Sequence, residues 1–126
     1  MRAIVLIGMA GAAGAISRYG VGLWAQKQWG SNFAFGTLLV NVLGCFVLGS
    51  ILELDSRTDW IDTPVRLFLS VGFFGAFTTF STFGFETLKY IQNGSHNLAL
   101  LNVVANLLLG LLAVWLGWML ARSIAG

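Results

Sequence analysis

Apolar residues run almost unbroken through four stretches of the chain, Ala3 to Gln26, Phe33 to Leu54, Pro64 to Ile91 and Asn97 to Arg122, and polar residues gather between them. Each stretch reaches or exceeds the ~20 residues that a helix needs to cross the hydrocarbon of a bilayer. The connecting strings, Lys27 to Asn32, Asp55 to Thr63 and Gln92 to His96, are too short to form a soluble domain. The pattern predicts an all-α membrane protein, residues 1–126 forming one domain of four transmembrane helices. Met1-Arg2 ahead of an apolar run and the small residues Ala10-Gly11-Ala12 have features of a secretory signal. The apolar pattern continues past them from Ile16 to Trp24, a full span ending in an interfacial aromatic, so this segment is expected to stay as the first helix.

Composition agrees with the pattern. With 57% hydrophobic and only 10% charged residues, and a mean hydropathy of +0.83, there is too little polar surface to cover a soluble globule. The net charge of +2 is scattered over the span ends and forms no patch suited to nucleic acid. Arg2, Arg57, Arg66 and Arg122 fall on one side of the membrane, Lys27 and Lys89 on the other, with Arg18 inside the end of the first span. Orientation follows the Lys and Arg bias, and here that bias is weak. Near-balanced ends allow insertion both ways, and an antiparallel pair then supplies the inverted symmetry that larger transporters obtain from internal repeats.

The third stretch is unlike the others. It carries Gly72-Phe73-Phe74-Gly75-Ala76-Phe77-Thr78-Thr79-Phe80-Ser81-Thr82-Phe83, in which glycines and a run of hydroxyls weaken the helical ladder. Irregular backbone survives at membrane depth only where it is buried in protein or lines a wet cavity. The segment therefore predicts a break in the third helix, and the break marks a functional site. Carbonyls freed around Gly75 to Thr78 have two uses open to them: they hold a hard cation such as sodium, or water and neighbouring side chains satisfy them.

Polar residues in the other spans line up. Thr37, Asn41 and Gly44 recur at i, i+4, i+7 in the second span, and Asn102, Asn106 and Gly110 at i, i+4, i+8 in the fourth, each set on one helix face. Interhelical hydrogen bonding accounts for any single Asn or Thr. Two such stripes, together with Thr79, Ser81 and Thr82, suggest a polar track across the membrane. Phe80, Phe83 and Glu86 are three apart and share a face of the third helix. Aromatic rings at that spacing commonly pack, but a ring has a positive edge, and two rings turned edge-on can stabilise a small anion. Arg18 reads either as a side chain snorkelling to the headgroups or as an electropositive pore mouth. Glu86, the sole acidic residue deep within a span, either pairs with a basic group or shapes the mouth by hydrogen bonding.

Enzymatic chemistry has no apparatus. Cys45 and His96 are the only residues of their types, and no acid, base and nucleophile can be assembled with Glu86. The glycines at 8, 11 and 14, at 36, 44 and 49, and at 110 and 117 suit close packing of a compact bundle.

Read together, Gly14-Ala15-Ile16-Ser17-Arg18-Tyr19, Gly36-Thr37-Leu38-Leu39-Val40-Asn41-Val42-Leu43-Gly44 and Gly72 to Phe83 resemble the motifs of the small bacterial fluoride channels, the Fluc or CrcB family, over essentially the whole chain. The resemblance implies an antiparallel dual-topology homodimer with two pores that passes fluoride passively across the bacterial inner membrane and excludes chloride. It implies a structural sodium ion that is not transported, held by the carbonyls of Gly75 and Thr78. By motif position Phe80 and Phe83 are the pore-lining rings, with Asn41 beside them and Arg18 and Glu86 near the mouth. Thr37, Thr79, Ser81, Thr82 and Asn106 complete the expected anion path. Two positions depart from the family pattern: Ala76 stands where glycine is common, and Asn102 and Asn106 stand where tyrosine and serine are expected.

The rival reading is a small proton-coupled multidrug exporter, also short, four-spanning and dual-topology. Such exporters need a membrane-embedded carboxylate in the first span, and the first span here has none. A non-transporting scaffold explains the glycines but leaves the aligned polar stripes without a use.

Overall fold

The computed structural model describes Met1–Gly126 and contains helices joined by short connections. In chain order these are α1 (Arg2–Trp29), α2 (Phe35–Arg57), α3 (Thr63–Leu67), a π-helical segment (Phe68–Phe74), α4 (Gly75–Phe77), α5 (Phe80–Gln92) and α6 (His96–Ala125). Four units are long and apolar enough to cross a membrane: α1, α2, the composite Thr63–Gln92 and α6. The protein is thus an all-helical, multi-pass membrane protein, as its hydrophobic pattern predicts.

Helix ends overrun the apolar stretches by a few residues, because polar Lys27 and Gln28 continue α1 without disturbing its ladder. Gly30 then stops it at φ 76°, a left-handed conformation that suits glycine, with its N–H returned to the Gln26 carbonyl. The short turn into α6 uses Gly94 in the same way, also at φ 76°. The composite span opens at Asp62, whose side chain accepts from the Val65 N–H at 3.3 Å, with proline in the first turn.

Packing follows from small residues. The most extensive contact is between α2 and α6, where a Cβ added at Gly49 would lie 2.5 Å from the Val114 carbonyl oxygen and one at Gly117 would collide with the Phe46 carbonyl. On the other side α1 packs on the π-helical segment. There Gly14 faces the Phe73 carbonyl, and a Cβ at Gly72 would come within 2.6 Å of the Ala10 Cβ. Most buried apolar residues are alanines, Ala10, Ala25, Ala99, Ala113 and Ala121 among them. Lipid tails are as apolar as leucine, so helices associate in a bilayer through such close van der Waals contact. The large apolar side chains point outward instead, Leu108 and Leu111 for example, where lipid is their solvent.

Aromatic residues mark both ends. Trp24 meets Trp29 edge-on, Phe33 stacks on Tyr90, and the Tyr90 hydroxyl accepts the Ala34 N–H at 2.8 Å, tying the α1–α2 connection to the end of α5. At the opposite end Arg122 lies 4.6 Å from the Trp118 ring and Arg66 pairs with Asp55 at 2.9 Å. Such rings belong at headgroup depth. The polar residues that remain inside this frame converge on the interval between α4 and α5.

Candidate functional site

Between α4 and α5 the backbone is extended for two residues, with Thr78 at φ −86°, ψ 160° and Thr79 at φ −153°, ψ 123°. The first is seated on α2: Gly44 has no side chain, and a Cβ there would collide with the Thr78 Cγ2. The Thr78 N–H and hydroxyl both donate to the Phe74 carbonyl, at 3.1 and 2.8 Å, closing α4. Neither the Thr78 nor the Thr79 N–H returns to Gly75, and the Thr78 carbonyl accepts no hydrogen bond within the chain. The Ala76 carbonyl accepts from Arg18 Nε at 3.0 Å.

Thr79 is held by a side chain. Its N–H donates to Asn41 Oδ1 at 2.9 Å, and its carbonyl accepts from Asn41 Nδ2 at 3.1 Å, so one amide replaces the two peptide partners that the helix no longer supplies. The second Nδ2 hydrogen of Asn41 goes to Asn106 Oδ1 at 3.0 Å. Asn106 Nδ2 donates to the carbonyl and the Oδ1 of Asn102, at 2.9 and 3.1 Å, and Asn102 Nδ2 donates to the Thr87 hydroxyl at 3.0 Å. Thr87 in turn donates to the Phe83 carbonyl at 2.8 Å. The two polar stripes and the third span are therefore one hydrogen-bonded chain, and both amide hydrogens of Asn41 and of Asn106 are committed within it.

The N-terminus of α5 begins at this point. Thr79 caps it, its Oγ1 accepting the Thr82 N–H at 3.2 Å and lying 3.1 Å from the Thr82 hydroxyl and 3.4 Å from that of Ser81. A helix N-terminus carries unpaired N–H groups and a partial positive charge, so it favours an anion. Phe80 and Phe83, on the same turn, have ring centroids 5.5 Å apart with planes tilted by 59°. Phe83 is buried, whereas Phe80 is 80% exposed on the single chain.

Three clefts meet these residues. One of about 250 Å³ is lined by Asn41, Thr79, Phe80, Phe83 and Asn106. A second, about 490 Å³, is lined by Arg18, Thr37, Thr79 and Thr82. The third, about 250 Å³, shares Thr37 with the second and adds Glu86. Thr79 borders the first two and Thr37 the last two, so the three clefts are linked through polar residues of α2 and the start of α5. Ser81 is exposed beside Thr79, Gly75 is exposed, and the Thr78 carbonyl has no partner within the chain.

Two side chains behave differently from their simplest readings. Arg18 does not snorkel: its Nε turns inward to Ala76 while the side chain lines the larger cleft. Glu86 has no basic partner, and its carboxylate accepts the Thr37 hydroxyl at 2.6 Å. Sequence reasoning missed Thr87 altogether. Its place four residues after Phe83, on the face that carries Phe80 and Phe83, was the available signal. It also missed the π-helical segment, since hydrogen bonding with i+5 periodicity leaves no hydrophobic pattern.

The family model for the CrcB-like proteins, described as camphor resistance (CrcB), matches residues 5–118. The chain belongs to the CrcB family. The match runs from the first turn of α1 to the last turns of α6, so every residue of the candidate site described above falls within it. Among curated relatives, a fluoride-specific ion channel FluC of Dehalococcoides mccartyi is 48% identical over 117 residues, covering 93% of this chain and 90% of that one. A protein of the same name from Hydrogenovibrio crunogenus is 46% identical over 114 residues, covering 90% and 86%. Another, from Geobacter metallireducens, is 42% identical over 124 residues, covering 98% of this chain and all of that protein.

Proposed function

We propose that this protein is a fluoride-selective channel that lets fluoride leave the cytoplasm passively across the bacterial inner membrane and so lowers its toxicity. The observation that carries the reading is the interruption at Thr78 and Thr79, which brings the start of α5, the hydroxyls of Thr79 and Thr82 and the rings of Phe80 and Phe83 to clefts of a membrane-spanning bundle. The FluC names of the relatives supply the ion.

Fluoride suits such a site. It is small, strongly hydrated and a strong hydrogen-bond acceptor, so only a narrow path rich in donors replaces its water. Ser81 and Thr82 offer hydroxyls, with Thr79 donating its own to Thr82, the start of α5 offers unpaired N–H groups, and the positive ring edges of Phe80 and Phe83 stabilise the anion without binding it as a full countercharge. Arg18 concentrates anions at the mouth, and Thr37 with Glu86 lines the approach. Neutral hydrogen fluoride enters from an acidic exterior and ionises inside. A channel driven by the membrane potential then relieves the load without ATP, and no bond of a substrate is made or broken.

The reading includes assembly and a resident cation. Four short helices do not enclose a polar path from lipid, and the exposed ring of Phe80 and exposed Gly75 lie on one chain's surface. A second, antiparallel copy would complete the unit, as weakly biased end charges allow. The partnerless Thr78 carbonyl and the open turn at Gly75 have the chemistry of a sodium site, since hard monovalent cations take backbone oxygens. Sodium there would supply a fixed positive charge, while Arg18 and Asn41 hold the flanking carbonyls in place.

The multidrug-exporter alternative finds no support, because α1 carries no carboxylate and the relatives bear a channel name. A bacterium stripped of its fluoride exporters tests the proposal. Expression of this protein should restore growth in fluoride and lower cell-associated fluoride, and unchanged accumulation would contradict it.

A further inference from the structure

The hydrogen-bonded chain running from Thr79 to Phe83 has fixed polarity, and that polarity gives a role to two residues that touch no cleft of the anion path. At one end the Thr79 N–H requires an acceptor, so Asn41 must present Oδ1 to it and Nδ2 to Asn106. Asn106 must therefore present Oδ1 to Asn41 and turn its own Nδ2 to Asn102. Asn102, fully buried, then has Oδ1 facing Asn106 and Nδ2 facing α5, where it needs an acceptor. Thr87 is that acceptor. Its hydroxyl hydrogen is already committed to the Phe83 carbonyl, which leaves a lone pair for Asn102.

We propose that Thr87 and Asn102 are positioning residues: anchored on the Phe83 carbonyl, they fix the orientation of the Asn106 and Asn41 amides and so the geometry of Thr79 and the adjoining anion path. Removing the Thr87 hydroxyl leaves the N–H of the fully buried Asn102 without its acceptor. An amide that turns over to escape this places its Nδ2 against that of Asn106, and Asn106 then cannot turn without opposing Asn41. Asn41 itself is pinned by the Thr79 N–H. The frustration thus travels to the Asn41–Asn106 bond, two amides beyond the altered side chain.

The test is Thr87→Val, which keeps the shape and loses the hydroxyl, beside Thr87→Ser, which restores it. Side-chain amide NMR signals of the detergent-solubilised protein, labelled with nitrogen-15, report on the relay independently of transport. The Asn41 and Asn106 signals should shift in Thr87→Val and return in Thr87→Ser, with those of Asn32 and Asn93 unmoved in both. Unshifted Asn41 and Asn106 signals in a folded Thr87→Val protein would overturn the inference, whatever the transport result. The transport readout rests on the fluoride-channel reading. Fluoride flux through Thr87→Val should fall about five- to tenfold, the equivalent of one buried hydrogen bond, and recover in Thr87→Ser. A Thr87→Val protein that melts earlier but conducts like the parent would make the pair merely structural. A parent that carries no fluoride would count against the channel reading alone, since the amide signals still decide the relay.

Discussion

The Asn41 side chain and the Thr79 backbone exchange two hydrogen bonds, at 2.9 and 3.1 Å, across 38 positions of sequence. An amide has one donor side and one acceptor side, the same pair that a peptide group presents, so Asn41 acts as a surrogate peptide for a helix that has stopped. The interruption is thereby stable at membrane depth, where unpaired backbone groups are costly. The Thr82 hydroxyl hydrogen and the unpaired N–H groups in the first turn of α5 are left for another ligand.

Asn41→Ala should therefore damage both folding and transport. It deletes three hydrogen bonds, each worth well under 1 kcal/mol on average between membrane helices, for a total of about 2 kcal/mol. Thermal unfolding in detergent checks the first effect and fluoride flux in liposomes the second. Asn41→Asp keeps the acceptor for Thr79 but gives no donor to the Thr79 carbonyl or to Asn106, so it should not rescue flux.

Gly44→Ala should act on the interruption from the other helix. The new Cβ collides with the Thr78 Cγ2, and Thr78 is held by its hydroxyl bond to the Phe74 carbonyl, so the strain is expected to reach ~1–3 kcal/mol. Gly20→Ala is the control, since nothing lies within 4 Å of its added Cβ. The expected result is lower flux and a lower melting temperature for Gly44→Ala only.

These two residues also show what could be read from the sequence. Four spans were legible because an apolar run of sufficient length leaves few alternatives, and Asn41 and Gly44 were legible as members of one helix face. The glycine-rich and hydroxyl-rich stretch from Gly72 to Phe83 contains the two extended residues Thr78 and Thr79. What Asn41 bonds to was not legible, because periodicity places a side chain on a face and says nothing of the backbone opposite. The same limit hid the inward turn of Arg18 to Ala76, the hydroxyl partner of Glu86 and the part played by Thr87. The π-helical turns escaped for a different reason, since they change hydrogen-bond register without changing hydrophobic pattern.

The phenylalanines should separate in their behaviour. Phe83 is buried and Phe80 is 80% exposed on the single chain, so Phe83→Ile should cost ~1–2 kcal/mol of stability and Phe80→Ile within about 0.5 kcal/mol. Both changes keep apolar bulk and remove the positive ring edge. If the rings meet the anion, flux falls in both variants regardless of that difference in stability. Parent-like conduction by both, in protein shown to be folded and correctly assembled, would assign the rings to packing.

The central claim is that this membrane protein passes fluoride passively and selectively. Purified protein in liposomes loaded with potassium fluoride or potassium chloride, with valinomycin added to release potassium and an ion-selective electrode outside, measures it directly. Rapid fluoride release after valinomycin, no release before it and negligible release of chloride is the predicted result. Fluoride retention, or equal release of chloride, would contradict the account.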